Sequence, residues 1–191
     1  MKPKAEEKSI EELKKDWQKK YGVGNCRELT ADGKSVFVFD PTIDFNKAKI
    51  IVAARQKGIS FMVDAILNNC WLGGDESLKL DEAFKQGIED QVDEMIDLPE
   101  MEKDELENGN LLLQVAGHDI EIKKVSRQDK RYAEDRNPDR KPLMTAVFLL
   151  EKIIVDKEKL VELMKDVRAY LVVLLEVREL KDKKWVELKK F

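Results

Sequence analysis

The side chains best suited to acid–base or metal chemistry are a single histidine and a series of carboxylates. His118 is the only histidine, and it is predicted to lie in a hairpin turn. Paired carboxylates can transfer protons or bind divalent cations, but the sequence has no Asp-x-Asp-x-Asp-Gly loop and no Glu-x-x-His pattern. We interpret His118 as a turn residue and the carboxylates, which have helical spacing, as a solvated face: Asp90, Asp93, Glu94 and Asp97.

The sequence also lacks an evident nucleophile or phosphate-binding loop. Cys70 has no credible basic partner, and there is no Gly-x-Ser-x-Gly motif. The glycine clusters Gly22-Val23-Gly24 and Gly73-Gly74 are not followed by the Lys-Ser/Thr pair of a P-loop. Cys26 and Cys70 have no CxxC spacing, so we expect two reduced thiols. We therefore predict a protein that is not an enzyme and that uses no cofactor or metal.

Charge is distributed unevenly along the chain. The net charge is −4, yet residues 75–107 contain 14 acidic residues against 3 lysines, and residues 123–141 contain 8 basic residues against 4 acidic ones. Both segments can be solvated faces. Alternatively, the acidic face of one copy meets the basic face of another, which would give a head-to-tail homo-oligomer. The basic segment with Tyr132 could also follow a phosphate backbone, but its acidic interruptions and a pI of about 5.4 argue against nucleic acid.

The composition is typical of a globular, heavily solvated chain. Of the 191 residues, 42% are hydrophobic and 39% are charged. No apolar run approaches the roughly 20 residues of a membrane span, and the first residues lack the apolar core of a signal peptide. We therefore expect a cytoplasmic protein with no membrane partner.

An N-terminal segment, residues 1–24, is predicted to carry an amphipathic helix over residues 5–20. Ser9 and Glu12 have the spacing of a capping box at its start. Its apolar stripe is narrow and consists of Ile10, Leu13 and Trp17. Such a helix is expected to dock on the body of the protein or on a neighbouring subunit.

The remaining chain repeats one order of elements in residues 25–108 and 109–191. Asp32-Gly33 and Gly117 mark the turns of two β-hairpins, and about three helices follow each hairpin. Apolar residues of the two copies align at a constant offset: Leu80, Phe84, Val92 and Met95 with Leu160, Met164, Val172 and Leu175. These features predict an α+β, mainly helical fold, with two tandem hairpin-plus-helices repeats whose hairpins can pair into one sheet.

The predicted helices cover residues 45–57 and 80–98 and a segment from Ser60 to Cys70 in the first copy. In the second copy they cover residues 127–134, 143–155 and 157–180. Trp71 to Asp75 is predicted to end a helix and reverse the chain, and residues 101–106 to add a helical turn. Asn108-Gly109-Asn110 is the predicted boundary between the copies.

The first copy carries a resemblance to a known family. A strand at residues 36–39 is followed by Pro41 to Asp44 at the start of a charged helix. Next come Asn68-Asn69-Cys70-Trp71-Leu72-Gly73-Gly74-Asp75-Glu76 and an acidic amphipathic helix at residues 80–98. This arrangement resembles small tail assembly chaperones of bacteriophages. The resemblance implies a noncatalytic protein that coats a long, helical tail protein during assembly or joins the phage particle.

These observations predict a noncatalytic phage assembly protein in the bacterial cytoplasm or the virion, with another phage protein or itself as partner. The first alternative is a permanent virion subunit that forms a ring or another oligomer. The second is a nucleic-acid-binding factor that uses residues 123–141. The predicted partner contacts combine aromatic or apolar anchors with exposed charges: Trp17, Trp71, Leu72, Phe84, Asp90, Glu94, Arg127 and Arg131.

Overall fold

The computed structural model describes residues 9–182, and the chain divides into two compact units, Met1–Ile96 and Asp97–Phe191. Each unit combines helices with one three-stranded antiparallel sheet, which confirms the predicted α+β, mainly helical fold. The prediction that the hairpins pair into one sheet is wrong for the described residues, because each hairpin gains its third strand within its own unit. In this part of the chain, no helix combines the length and the apolar character needed to cross a membrane.

The first unit places its sheet between a single N-terminal helix and a group of later helices. Its elements are α1 (Ile10–Tyr21), β1 (Cys26–Ala31), β2 (Lys34–Phe39), α2 (Phe45–Arg55), α3 (Ile59–Asn69), β3 (Trp71–Gly74), α4 (Glu82–Gly87) and α5 (Glu89–Met95). Short 3-10 helices cover Pro41–Ile43 and Glu76–Lys79. The strand order is β1-β2-β3, with β2 buried in the centre.

The second unit begins with the strand that was predicted as a helical turn. Its elements are β4 (Met101–Glu105), β5 (Leu111–Val115), β6 (His118–Ile122), α6 (Arg127–Asp135), α7 (Met144–Ile153), α8 (Lys157–Leu163) and α9 (Val167–Asp182). The strand order is β4-β5-β6, and a single bridge joins Ile122 to Ile154 beyond β6. The predicted N-terminal helix over residues 5–20 and the predicted second copy over residues 109–191 extend into residues 1–8 and 183–191, which lie outside the described residues.

The two predicted hairpin turns and the predicted capping box of α1 are confirmed. Asp32 and Gly33 both have positive φ, at 50° and 72°, as a two-residue hairpin turn requires. Ala116 and Gly117 repeat this geometry at 48° and 80°. At the start of α1, Ser9 accepts a hydrogen bond from the Glu12 backbone N–H, and the Glu12 side chain accepts one from the Ser9 backbone N–H.

Two long predicted helices are each broken in two, so those predictions are wrong. The predicted helix 80–98 is interrupted at Gly87 and Ile88, and Leu80 precedes α4. The predicted helix 157–180 ends at Leu163, because Asp166 caps a new helix by accepting hydrogen bonds from the backbone N–H groups of Arg168 and Ala169 at 3.1 Å. Apolar periodicity continued across both breaks and therefore concealed them.

Gly87, the last residue of α4, lies close against β1. A Cβ atom added at Gly87 would lie 2.6 Å from the Ala31 Cβ. Beyond the break, Gln91 of α5 accepts a hydrogen bond from the Thr30 N–H at 3.0 Å and donates one to the Thr30 carbonyl at 2.8 Å. Gly87 of α4 and Gln91 of α5 thus both contact β1.

The division between the units differs from the predicted boundary at residues 108–110. The segment around Asn108 connects β4 to β5, with the Leu106 N–H donating to the Asn110 carbonyl at 2.9 Å. The strand β4, which was predicted as helical, belongs to the second unit because it pairs with β5 over its whole length. The loop is thus a hairpin turn within one sheet.

The two units share an order of elements after their hairpin turns. In each unit two helices follow the hairpin, and the chain then returns to the sheet: the Phe39 N–H donates to the Cys70 carbonyl, and the Lys123 N–H donates to the Ile153 carbonyl, both at 2.9 Å. The predicted alignment, which pairs residues of the two copies at a constant offset, brings together positions with different burial. Leu80 is 83% exposed, whereas Leu160 is 7% exposed.

Candidate functional site

Trp17 docks α1 on one face of the first sheet. Its ring lies 5.3 Å from that of Phe37, measured between centroids, and Tyr21 stacks on Phe39 at 4.9 Å. A Cβ atom at Gly73 would lie 2.9 Å from the Trp17 ring, so the glycine makes room for it. This confirms that the N-terminal helix docks on the body of the protein, and it places Trp17 in a contact within the unit.

Trp71 and Leu72 lie on β3 and are half-buried. Their segment was predicted to end a helix and reverse the chain, but it forms the third strand of the sheet, with Trp71 opposite Val38 and Gly73 opposite Phe37. A bulge between Phe37 and Val38 interrupts the regular pairing of β2 with β3. The ammonium of Lys79 lies 4.2 Å from the centre of the Trp71 ring.

The acidic helix contributes exposed charges but no aromatic anchor. Phe84 is 2% exposed, so its predicted role as a partner contact is wrong: it fills the core. Asp90 and Glu94 are exposed on α5 at i, i+4 spacing, and neither makes an ion pair within residues 9–182. Between them, Asp93 bonds to Arg55 at 2.9 Å.

The basic helix α6 carries a second pair of free charges. Arg127 and Arg131 are exposed and also four residues apart, and neither forms an ion pair with any described residue. The ring of Tyr132 faces cations at 5.5 Å (Arg136) and 5.3 Å (Lys152), and its hydroxyl accepts a hydrogen bond from Arg136 at 2.7 Å. These contacts occupy Tyr132, which argues against a role in stacking on nucleic-acid bases.

A recurrent exposed apolar position was missed from the sequence. Asp75 caps the 3-10 helix Glu76–Lys79, and Leu80 lies five positions after that cap and is 83% exposed. Asp156 caps α8, and Val161 lies five positions after it and is 59% exposed. Met164, one turn further along, is 50% exposed. The signal in the sequence was the pair of Asp caps, each five residues before an exposed aliphatic side chain.

The residues considered for chemistry form no candidate metal cluster among the described residues. His118 begins β6, opposite Val115, and was wrongly predicted to be a turn residue; its Nε2 atom is 3.9 Å from Asp166. Burial raises the pKa of the Cys70 thiol to about 12, so it is not a thiolate at neutral pH. Both cysteines are free. Within residues 9–182, no group of three His, Cys, Asp or Glu side chains could hold a metal ion.

The most unusual buried polar group was also missed. Glu176 of α9 is 5% exposed; its Oε2 atom accepts a hydrogen bond from Lys103, and its Oε1 atom has no hydrogen-bond partner. It lies within an otherwise apolar helical pattern and gave no signal beyond its charge.

No protein-family model matches the chain, and neither a curated protein nor a solved structure is significantly similar to it.

Proposed function

We propose that the protein is a noncatalytic binding protein that assists the assembly of a phage particle by holding another phage protein. The observation that carries this proposal is that each unit exposes an aliphatic side chain five positions after an aspartate cap: Leu80 in the first unit and Val161 in the second. Single exposed apolar residues are common, but their recurrence at the same distance from an aspartate cap fits two anchors for one long or repetitive partner.

The phage assignment rests on the sequence resemblance to tail assembly chaperones. The structure supports noncovalent binding through exposed aliphatic and charged side chains. Each anchor belongs to a unit that also has free charges at i, i+4 spacing: Asp90 and Glu94 on α5, and Arg127 and Arg131 on α6. An aliphatic anchor supplies affinity, while charges of opposite sign in the two units orient the partner.

Site-specific photo-crosslinking in the native host tests this function. A photoreactive phenylalanine analogue is introduced in place of Leu80 or Val161. In the control it replaces Lys57, which is exposed in the turn between α2 and α3. Mass spectrometry then identifies the captured protein. We expect one phage protein from both anchor positions and not from the control. Equal capture from all three positions would overturn the proposed role of the anchors.

The second candidate function is a permanent virion subunit. The free charge pairs on α5 and α6 favour it, because two carboxylates and two guanidiniums at the same spacing can pair between copies. In that case Asp90→Lys combined with Glu94→Lys would dissociate an oligomer seen by analytical ultracentrifugation at low salt. Arg127→Glu combined with Arg131→Glu in the same chain would restore it. A monomer in the unmodified protein contradicts this candidate.

A further inference from the structure

The outer edge of β4 has backbone groups that remain free. Beyond the end of β4, the Leu106 N–H donates to the Asn110 carbonyl, and this hydrogen-bonded pair continues the register in which β4 pairs with β5. Hydrogen-bonded and non-bonded pairs alternate in antiparallel strands, so the backbone N–H and C=O groups of Met101, Lys103 and Glu105 point away from β5. They have no hydrogen-bond partner within residues 9–182, and the side chains of residues 102–105 are exposed.

In the first unit, the outer edge of β1 is covered at one of its three outward-pointing residues. The Asp40 N–H donates to the Asn25 carbonyl, so Asn25 and Asp40 are a hydrogen-bonded pair. By the same alternation, the backbone groups of Cys26, Glu28 and Thr30 point away from β2. The Gln91 side chain bonds to both groups of Thr30, as a neighbouring strand would. Among the described residues, a side-chain amide therefore caps Thr30 on the edge of β1, whereas the outward backbone groups of β4 have no partner.

The charge of β4 selects what can bind there. Glu102 and Asp104 are exposed and make no ion pair within the described residues, whereas Lys103 is paired with Glu176 at 2.7 Å. Glu105 bonds to Lys124 at 3.0 Å, but both side chains are more than half exposed, so this pair adds little. A second copy of β4 would bring carboxylates against carboxylates and is repelled. An extended segment with lysine or arginine side chains is attracted.

We propose that β4 is a docking edge to which an extended basic segment of a partner protein adds as a fourth strand. Backbone hydrogen bonds to Lys103 and Glu105 hold the segment, and Glu102 and Asp104 select its charge. This inference rests on the proposed binding function and names the surface and the partner chemistry. Repulsion between like strands explains how the edge stays open without self-association.

The test uses the full-length, 15N-labelled protein and a peptide of about eight residues with alternating lysine and valine, a length typical of strands. Its control is the same peptide with glutamate in place of lysine. We expect the basic peptide to shift the amide signals of Met101, Lys103 and Glu105 and to slow their hydrogen exchange. Equal shifts with the acidic peptide, or shifts confined to side-chain signals, would overturn the proposal.

Two matched variants separate the backbone from the charge. Glu105→Pro removes an outward N–H group without breaking a bond to β5, and Glu105→Ala loses the same carboxylate but keeps the N–H. We expect peptide affinity to fall about tenfold or more in Glu105→Pro relative to Glu105→Ala, because one hydrogen bond is lost and the ring blocks the edge. Equal affinities contradict strand addition. The amide spectrum of each variant shows whether it is folded.

A charge reversal supplies an independent readout. In the double variant Glu102→Lys, Asp104→Lys, the preference between the two peptides should invert, because the edge then attracts glutamate side chains. An unchanged preference would overturn the charge selection. Capture of a phage protein at Leu80 and Val161 that persists in Glu105→Pro at full strength would leave the proposed function standing and reject β4 as its docking edge. Absence of capture from the Leu80 and Val161 positions in the protein without the Glu105→Pro change would instead reject the function.

Discussion

Lys103 of β4 donates a hydrogen bond to Oε2 of Glu176 on α9 at 2.7 Å, while the second oxygen of this carboxylate has no hydrogen-bond partner. Glu176 is 5% exposed, whereas the lysine side chain is 41% exposed. The bond connects an edge strand to the longest described helix of the second unit. A half-satisfied buried carboxylate is costly, so its one partner carries more weight than a surface ion pair would.

We predict that Lys103→Met destabilises the second unit, because it leaves the Glu176 carboxylate buried without a partner. The expected loss in free energy of unfolding is roughly 2–3 kcal/mol. In the double variant Lys103→Met, Glu176→Met most of this loss should be recovered, since no buried charge remains. Urea denaturation followed by circular dichroism measures both effects. Lys123→Met, at an exposed lysine, is the control, and equal losses in Lys103→Met and Lys123→Met would contradict the prediction.

A second prediction concerns the fit between Trp17 and Gly73. No residue of α1 is buried, so the helix is held by partial contacts such as the one between these two residues. In Gly73→Ala the new Cβ atom would lie 2.9 Å from the distal ring of Trp17, and α1 must shift. We expect amide hydrogen exchange in α1 to accelerate by about tenfold, which corresponds to about 1.4 kcal/mol of lost docking.

Trp17→Phe provides the matched test of this cause. The phenylalanine ring lacks the two distal atoms, Cη2 and Cζ2, that an alanine at position 73 would meet. In the Trp17→Phe background, Gly73→Ala should therefore leave exchange in α1 nearly unchanged. If it accelerates exchange equally in both backgrounds, the strain arises in β3 and not at the Trp17 contact.

The sequence was informative wherever a local signal determined the structure. Asp32-Gly33 specified a turn with two positive φ angles, and Ser9 with Glu12 specified a helix start, because the interacting groups are a few residues apart. The order of hairpin and helices in each copy followed from such signals. The candidate charges Asp90, Glu94, Arg127 and Arg131 are exposed for a similarly local reason, as they lie on polar faces of helices.

Features that depend on distant partners were not predicted. The strand β4 has the sequence Met-Glu-Lys-Asp-Glu, without apolar alternation, and becomes a strand because β5 pairs with it. Likewise Trp71 to Gly74 extends because β2 offers an edge. Phe84 could serve equally as an anchor or as a core residue by type, and only the packing of α4 decides that it is buried. The close approach of Gly87 to Ala31 likewise joins residues that are far apart in sequence.

The pH dependence of stability provides a third prediction, through Cys70. The side chain is 0% exposed, and burial raises the pKa of its thiol from 9.0 to about 12. Between these values the folded protein binds the thiol proton more strongly than the unfolded chain does. This contribution to stability is complete below pH 9 and is lost as the pH rises from about 9 towards 12, with a slope of at most about 1.4 kcal/mol per pH unit.

The comparison of unmodified protein with Cys70→Ala isolates this contribution. Cys70→Ala removes the titrating group and adds a cavity cost that does not change with pH, so its stability should fall less steeply above pH 9. Tyr170, whose pKa burial also raises to about 12, remains in both proteins and cancels in the difference. Urea denaturation at pH 8, 9 and 10 measures the two slopes. Cys26→Ala, at a half-buried thiol, is the control, and parallel slopes for unmodified protein and Cys70→Ala would show that Cys70 ionises as readily in the folded protein as in the unfolded chain.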